Sequence, residues 1–427
     1  MLKPTICATT LLTGLCLAAG APAHADDSFG LTGDWGGART QLQDNGVTIG
    51  LSYTAEALGN TNGGMGQGAI AEGLLELDIG LDLEKIVGWS GASLHASGYW
   101  IQGEGLSTRY INNLLTVSSI EADPGVRLNE LYLQQQFLGG VVTFKVGQIA
   151  ADNDFWISDT AGLFVNSTFG WPGINGTDLP NGGPAYPLPT PGVHVAIQPN
   201  DTWMFQAAIY NGDPDPRGDN EHGLEFPINN GVFAIAEAAY THTLANGLSG
   251  TWKAGFWYNS QDFAVLTPRS GGADSESGNY SLYFIVDHEL WNRPGSEGGG
   301  LAGFFRFGVT PDSDINPVDI YFDLGLALTG TFPGRDNDVV GIGFGYAGLS
   351  SDLPAFTAGG SAGRNSSDYE AVVEVSYQAV INDNFSLQPF AQYVFNPAGN
   401  TVASDGSGPA EPLGDAFILG FRTSLTF

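Results

Sequence analysis

The stretch Leu75-Glu-Leu-Asp-Ile-Gly-Leu-Asp-Leu-Glu84 alternates without a break. Leu75, Leu77, Ile79, Leu81 and Leu83 share one parity; Glu76, Asp78, Asp82 and Glu84 share the other with Gly80. Successive side chains of an extended chain point to opposite faces, so this segment reads as a strand with one aliphatic face and one carboxylate face. One such strand fits a soluble sandwich as well as the wall of a water-filled barrel. Recurrence of the pattern decides between them.

It recurs. Val142, Phe144 and Val146 alternate with Thr143, Lys145 and Gly147, and Val340, Ile342, Phe344 and Tyr346 with Gly341, Gly343 and Gly345. Ile320, Phe322, Leu324, Leu326 and Leu328 alternate with Tyr321, Asp323, Gly325 and Ala327, and Val373, Val375 and Tyr377 with Glu374, Ser376 and Gln378. The second face is polar or glycine, as a water-facing lumen wall would be. Extending the reading gives sixteen strands: 47–57, 69–84, 92–102, 127–137, 141–149, 193–198, 202–210, 232–242, 250–259, 280–290, 301–309, 319–330, 338–346, 369–380, 385–395 and 415–427. Long and short connections between them alternate, and the short ones carry turn residues such as Pro199-Asn200-Asp201 and Asn382-Asp383-Asn384. This rhythm predicts an all-β fold: a transmembrane antiparallel up-and-down β-barrel of about sixteen strands, with short periplasmic turns and long extracellular loops.

Composition agrees. The chain has 427 residues, with 62 Gly and 23 Pro, which disfavours a helical bundle. Only 14 residues are Lys or Arg against 45 Asp or Glu, so no nucleic-acid partner is expected. The 42% hydrophobic content argues against disorder. Both cysteines, Cys7 and Cys16, lie in an N-terminal segment with Lys3, an apolar run Leu11–Ala19 and the triplet Ala23-His24-Ala25, which reads as a secretory signal, 1–25. Residues 26–46 follow as a periplasmic segment with a short helix over Gly36–Asn45, its Leu42 packing on the barrel, and 47–427 as the barrel itself. No later stretch has the length and apolarity of a membrane-spanning helix. The expected location is therefore the outer membrane of a Gram-negative bacterium, with outer-membrane lipid around the barrel.

Several phrases resemble one family. Leu31-Thr-Gly-Asp-Trp-Gly-Gly-Ala-Arg39, Arg127-Leu-Asn-Glu-Leu-Tyr-Leu133, Val146-Gly-Gln148 with Asp152 and Phe155, Ala208-Ile-Tyr-Asn-Gly-Asp-Pro214, Leu387-Gln-Pro-Phe-Ala-Gln-Tyr393 and Gly420-Phe-Arg422 are similar to blocks of the OprB-type carbohydrate-selective porins. The resemblance implies a sixteen-stranded channel passing small sugars, glucose being the usual family substrate. The alternation alone implies a porin and leaves open a general or ion-selective one; a barrel enzyme and a secreted soluble β-protein are the readings from other classes. The last strand places Phe417, Leu419, Phe421, Leu425 and Phe427 on one parity, resembling the signal read by the barrel assembly machinery.

A porin sorts solutes by the width and charge of its pore. Strand parity puts the cations Lys145, Lys253, Arg306 and Arg422 inward, with the acids Glu76, Asp78, Asp82, Glu84, Glu130, Asp323 and Glu374. Arg127 is out of phase with Glu130 and is expected at a rim. Tyr132, Trp257, Tyr283 and Tyr321 fall inward by parity, where flat rings can meet sugars, while Trp100, Trp252, Tyr258 and Tyr346 read as interface girdle. The longest connection, 150–192, carries Phe155, Trp156 and Trp171 and is the expected constriction loop. Asp213, Asp215, Asp219 and Glu221 lack EF-hand spacing and read as a solvated loop. No catalytic motif, metal-ligand spacing or cofactor-binding pattern stands out, so no enzyme activity and no cofactor is expected. Oligomeric state, monomer or trimer, is left open.

Overall fold

The computed structural model describes residues 29–267, 272–294, 299–353, 367–400, 402–403 and 411–427; the expected signal segment lies outside the described residues. The chain builds β1 (Val47–Gly64), β2 (Gly68–Asp82), β3 (Ala92–Gly103), β4 (Gly125–Phe137), β5 (Val142–Ile149), β6 (Thr190–Ile197), β7 (Trp203–Asn211) and β8 (Val232–Thr243). It continues with β9 (Ser249–Ala264), β10 (Ser275–Asn292), β11 (Gly300–Val309), β12 (Val318–Thr329), β13 (Val339–Leu349), β14 (Tyr369–Asn382), β15 (Phe385–Phe395) and a closing strand, Gly414–Thr426. Each pairs antiparallel with its sequence neighbours, and the closing strand pairs with β1 from Ser52↔Thr426 to Gly64↔Gly414. The sheet therefore has no free edge.

Strand parity behaves as alternation predicts. Leu77, Phe256, Leu324, Leu326, Ile342 and Val375 are exposed on the outer face. Trp100 and Trp252 are exposed near strand ends, Tyr258 is exposed farther along β9, and Tyr346 stacks on Phe322 at 5.0 Å on the same outer face. This is the arrangement of an apolar belt with aromatic borders.

Several boundaries differ from expectation. β1 runs on past its expected end to Gly64 and β2 begins at Gly68, so their connection shrinks to 65–67. β2 stops at Asp82, whose carboxylate accepts from the N–H groups of Glu84 (3.0 Å) and Lys85 (3.2 Å) and caps a short helix, α2, Leu83–Val87. Glu84 therefore leaves the lumen wall; its carboxylate ties down Ser90 (3.0 Å) and the Gly91 N–H (3.2 Å) in the turn.

The N-terminal helix, α1, spans Ala38–Asp44, and Asp34 accepts from the Thr40 N–H at 2.8 Å ahead of it. Arg39, on α1, is buried and donates to the carbonyls of Ile49 (3.0 Å), Phe427 (3.0 Å) and Phe29. Its guanidinium lies 4.8 Å from the Trp35 ring centroid. Gly30 crosses the end of the closing strand so closely, at φ 67°, that a Cβ there would sit 2.3 Å from the Phe427 carbonyl carbon. The segment thus clasps the β1–closing-strand seam, and Leu42, half-buried, lines the groove beneath it.

Candidate functional site: the lumen and its two infolded loops

The connection 150–189 turns into the barrel and is strapped to the inner wall strand by strand. Lys145 on β5 pairs with Asp154 at 2.7 Å, and Gln206 on β7 donates to the Asp154 carbonyl at 2.6 Å. Glu237 on β8 accepts from the Trp156 N–H (3.3 Å), and Lys253 on β9 donates to the Ile157 carbonyl (2.7 Å). Asp287 on β10 accepts from the Ser158 hydroxyl at 2.8 Å. Glu374 on β14 accepts from the N–H groups of Val165 (2.8 Å) and Asn166 (2.9 Å), and Gln388 on β15 donates to the Leu163 carbonyl (2.7 Å).

Arg306 on β11 is the centre of this attachment. It donates to the carbonyls of Trp156 (2.8 Å), Gly170 (2.8 Å) and Thr168 (2.7 Å), and pairs with Asp323 on β12, Nε to Oδ1 at 3.0 Å. Tyr321 completes it, its hydroxyl 2.7 Å from the Thr168 hydroxyl and 2.8 Å from Asp323. A buried ion pair gains little net stability after desolvation, but its fixed geometry can dictate one arrangement of the groups around it. Trp156 adopts φ 62°, a costly conformation for a bulky residue, while stacked on Tyr283 at 4.1 Å.

The glycine parity of β13 has a different purpose from the one expected. A Cβ on Gly341 would lie 2.4 Å from Leu163 Cδ2, and one on Gly343 2.8 Å from Phe169 Cζ. On β11, a Cβ on Gly308 would lie 2.6 Å from Trp156 Cη2. These glycines make a seat for the loop rather than a surface for water. Phe164 and Phe169 fill it with Phe304 of β11, their own rings 4.7 Å apart.

A second loop, 104–124, also folds inward, which the sequence reading missed. Glu370 on β14 accepts from the N–H groups of Leu114 (2.8 Å) and Leu115 (2.7 Å), and Gln392 on β15 donates to the Val117 carbonyl (2.9 Å). The two loops join through Ser119 N–H to Val165 O (2.8 Å) and Ser167 N–H to Thr116 O (3.0 Å). Ile111, Leu115 and Val117 are fully buried. Their apolarity in a supposedly extracellular loop was the available signal, and Glu370 shares the parity of Glu374.

Several expected pore-lining residues therefore lie beneath the loops. Arg306, Glu374, Trp257 and Tyr321 each have 0% exposure, so no solute in the lumen reaches them in this conformation. Trp257 instead donates to Asn175 at 2.9 Å, and Tyr283 to Glu237 at 2.9 Å. Phe155 and Trp156 are likewise buried against the wall; Trp171, half-buried, donates to the Gly182 carbonyl at 2.9 Å. Lys253 remains partly exposed beside its loop carbonyl.

On the opposite wall, β1 to β5 with the closing strand, Asp78, His95 and Tyr99 keep some exposure, while the expected pore-lining Glu130, Tyr132, Lys145 and Arg422 are buried, each 6% exposed. Asp78 retains 21% side-chain exposure and approaches His95 at 3.4 Å. His95 stacks on Tyr132 at 4.9 Å, and Lys145 lies 5.3 Å from the same ring. Glu130 accepts from the Ala150 N–H at 2.9 Å, where the loop departs. Arg422 on the closing strand pairs with Glu56 at 2.5 Å and donates to Ser119 at 2.8 Å.

Arg127 is the residue that parity misplaced. The β3–β4 pairing skips between Ala96↔Leu131 and Gly98↔Leu128, a β-bulge that sets two residues of β4 against Ser97. The extra residue shifts the phase and brings Arg127 inward, opposite Tyr99. Among the described residues its one hydrogen bond runs from Nη1 to the Pro187 carbonyl at 3.3 Å, and its buried Nε has no hydrogen-bond partner. Tyr99 lies opposite Glu76 of β2 and meets Tyr186 of the loop, rings 5.5 Å apart. Burial pushes the loop carboxyl of Asp152 up to about 6, opposed by the hydrogen bond from the Tyr186 N–H.

Among the described residues no group of three or more His, Cys, Asp or Glu side chains is arranged to hold a metal ion. In the 213–221 loop, Asp213 and Asp215 accept instead from Asn181 and from backbone N–H groups.

Known proteins resemble the chain over most of its length. The family described as "Carbohydrate-selective porin, OprB family" matches residues 66–427. Porin B of Pseudomonas aeruginosa is 25% identical, the alignment covering 96% of this chain and 95% of that protein. The putative porin QuiX of Acinetobacter baylyi is also 25% identical, with 94% of each covered. The high-pH structure of Pseudomonas putida OprB superposes with a TM-score of 0.82 at 22% identity, covering 95% of this chain and 100% of that one.

Proposed function

The chain belongs to the OprB family of carbohydrate-selective porins of the Gram-negative outer membrane, and on that premise we propose that it carries small neutral sugars, glucose among them, passively into the periplasm along the β1–β5 wall. The observation that carries this reading is the asymmetry of the lumen. The infolded loops are held chiefly against β7 to β15 by buried side chains, with further ties at Glu130, Lys145 and Arg422, whereas Asp78, His95 and Tyr99 on the facing wall keep exposed surface. The loop 150–189 is then the constriction, and the passage runs between it and that wall.

The chemistry suits a polyol. A sugar entering a narrow lumen gives up hydrogen bonds to water and needs replacements that are nearly isoenergetic, or it stays outside or never leaves. Arg127 has donors without strong partners, and Asp78 on β2 supplies a partly exposed carboxylate acceptor. The rings of Tyr99 and Tyr186 offer apolar faces for the C–H side of a pyranose. Phe417, Leu419 and Phe421, exposed on the closing strand, support contact with lipid and recognition by the barrel assembly machinery.

Reconstitution into liposomes tests the proposal, with swelling rates for glucose, a disaccharide and an amino acid compared. Glucose faster than an amino acid of equal or smaller size supports sugar preference. Rates ordered by size alone would leave a general diffusion porin.

A further inference from the structure

The charges around the passage do not cancel. Arg422 is matched by Glu56 at 2.5 Å and Lys145 by Asp154 at 2.7 Å, while Asp78 faces the His95 ring at 3.4 Å, a cation only when protonated. Arg127 and Lys253 make no ion pair among the described residues, and neither do Glu72, Glu76, Glu121 and Asp152. Glu72, on β2 opposite Glu56, is 7% exposed and its Oε1 has no hydrogen-bond partner. Across the lumen, Glu370 is held by backbone N–H groups and Glu374 by two backbone N–H groups together with Ser376 and Gln392, neutral donors that solvate a carboxylate without cancelling its charge. Low-dielectric walls focus such a field along a channel.

We propose that this carboxylate excess makes the channel discriminate by solute charge, admitting neutral sugars and cationic amino sugars while excluding sugar acids and sugar phosphates. The proposal rests on the sugar-passage reading for its substrates, but the field acts equally on simple ions and can be measured without any sugar. An anion in the passage would face Asp78, Glu121 and Asp152, none of them paired with a Lys or Arg among the described residues, against Arg127 there and Lys253 across the lumen. Arg127 still serves a neutral sugar, because hydrogen-bond donation to hydroxyls requires no net positive potential.

The test is a pair of measurements on the full-length barrel. Reversal potentials under a tenfold KCl gradient in planar bilayers should give a K⁺ over Cl⁻ permeability ratio on the order of ten. Liposome swelling at neutral pH should rank glucosamine at or above glucose and gluconate several-fold below it. The variant E121Q with D152N should lower the ion ratio and narrow the gap between glucose and gluconate. An anionic reversal potential, or gluconate entering as fast as glucose, overturns the proposal and leaves sugar passage standing. A cationic reversal potential without glucose entry supports the charge field and defeats the sugar reading instead. An unchanged ion ratio in a correctly folded double variant also overturns the proposal, since the field would then arise elsewhere.

Discussion

Replacing Arg306 by leucine should loosen the constriction while leaving the barrel closed. The substitution removes the donors to three loop carbonyls, those of Trp156, Thr168 and Gly170, and leaves Asp323 without its cation. Hydrogen bonds from a charged group contribute about 1.5–3 kcal/mol each, and removing one partner of a buried pair costs about 3–5 kcal/mol. These overlap and do not add, so about 3–5 kcal/mol is the working figure. The sixteen-stranded ladder runs through main-chain bonds that the change does not touch. The cost therefore falls on the loop, shifting its equilibrium away from the wall by roughly a hundredfold to a few thousandfold. In planar bilayers R306L should show larger single-channel conductance and more open-channel noise than the parent. K253M, which removes one bond from a partly exposed group to the Ile157 carbonyl, should produce a much smaller change. A heat-dependent gel shift confirms that both are folded. Wild-type conductance and noise in a folded R306L channel would refute the clamp.

Three further outcomes follow from the same geometry. G343L places side-chain atoms where the Phe169 ring lies, its Cβ already only 2.8 Å from Cζ, so conductance should rise as the loop is displaced; an unchanged channel would mean the seat is not tight. R39A removes the donors to Phe29, Ile49 and Phe427, costing about 1.5–3 kcal/mol for each bond lost, and should lower the temperature of the gel shift without altering conductance. R127A should reduce glucose swelling rates several-fold at little cost to barrel stability, because that guanidinium holds only one long contact; undiminished glucose entry would remove it from the passage.

Strand parity made the wall legible in the sequence. Leu75 to Asp82 and Ile320 to Leu328 could bury one face in lipid and present the other inward in only one register, so their orientation followed from side-chain chemistry. Arg306 and Glu374 were placed on the correct face by the same rule, but parity reports a face and not what covers it. Their burial depends on loops whose path is fixed by contacts hundreds of residues apart in sequence, such as Val165 to Glu374. Arg127 failed for another reason: a single bulge residue inverts the phase of everything beyond it, and nothing in Arg127-Leu-Asn-Glu130 announces one. The glycines of β13 look the same in sequence whether they face water or a phenylalanine ring. Only the neighbours of their missing Cβ atoms distinguish the two.

The central claim is that solutes pass along β1–β5 and not along β8–β15, and cysteine accessibility tests it directly. The chain's only cysteines, Cys7 and Cys16, fall in the segment read as a signal, which leaves a clean background. T54C sits on the inward parity of β1 with partial exposure, and A347C sits on β13 with none. A bulky hydrophilic thiol reagent should cut both ionic current and glucose entry through T54C and leave A347C unaffected. Block at A347C with free passage through modified T54C would put the pore on the other side of the loop and contradict the account.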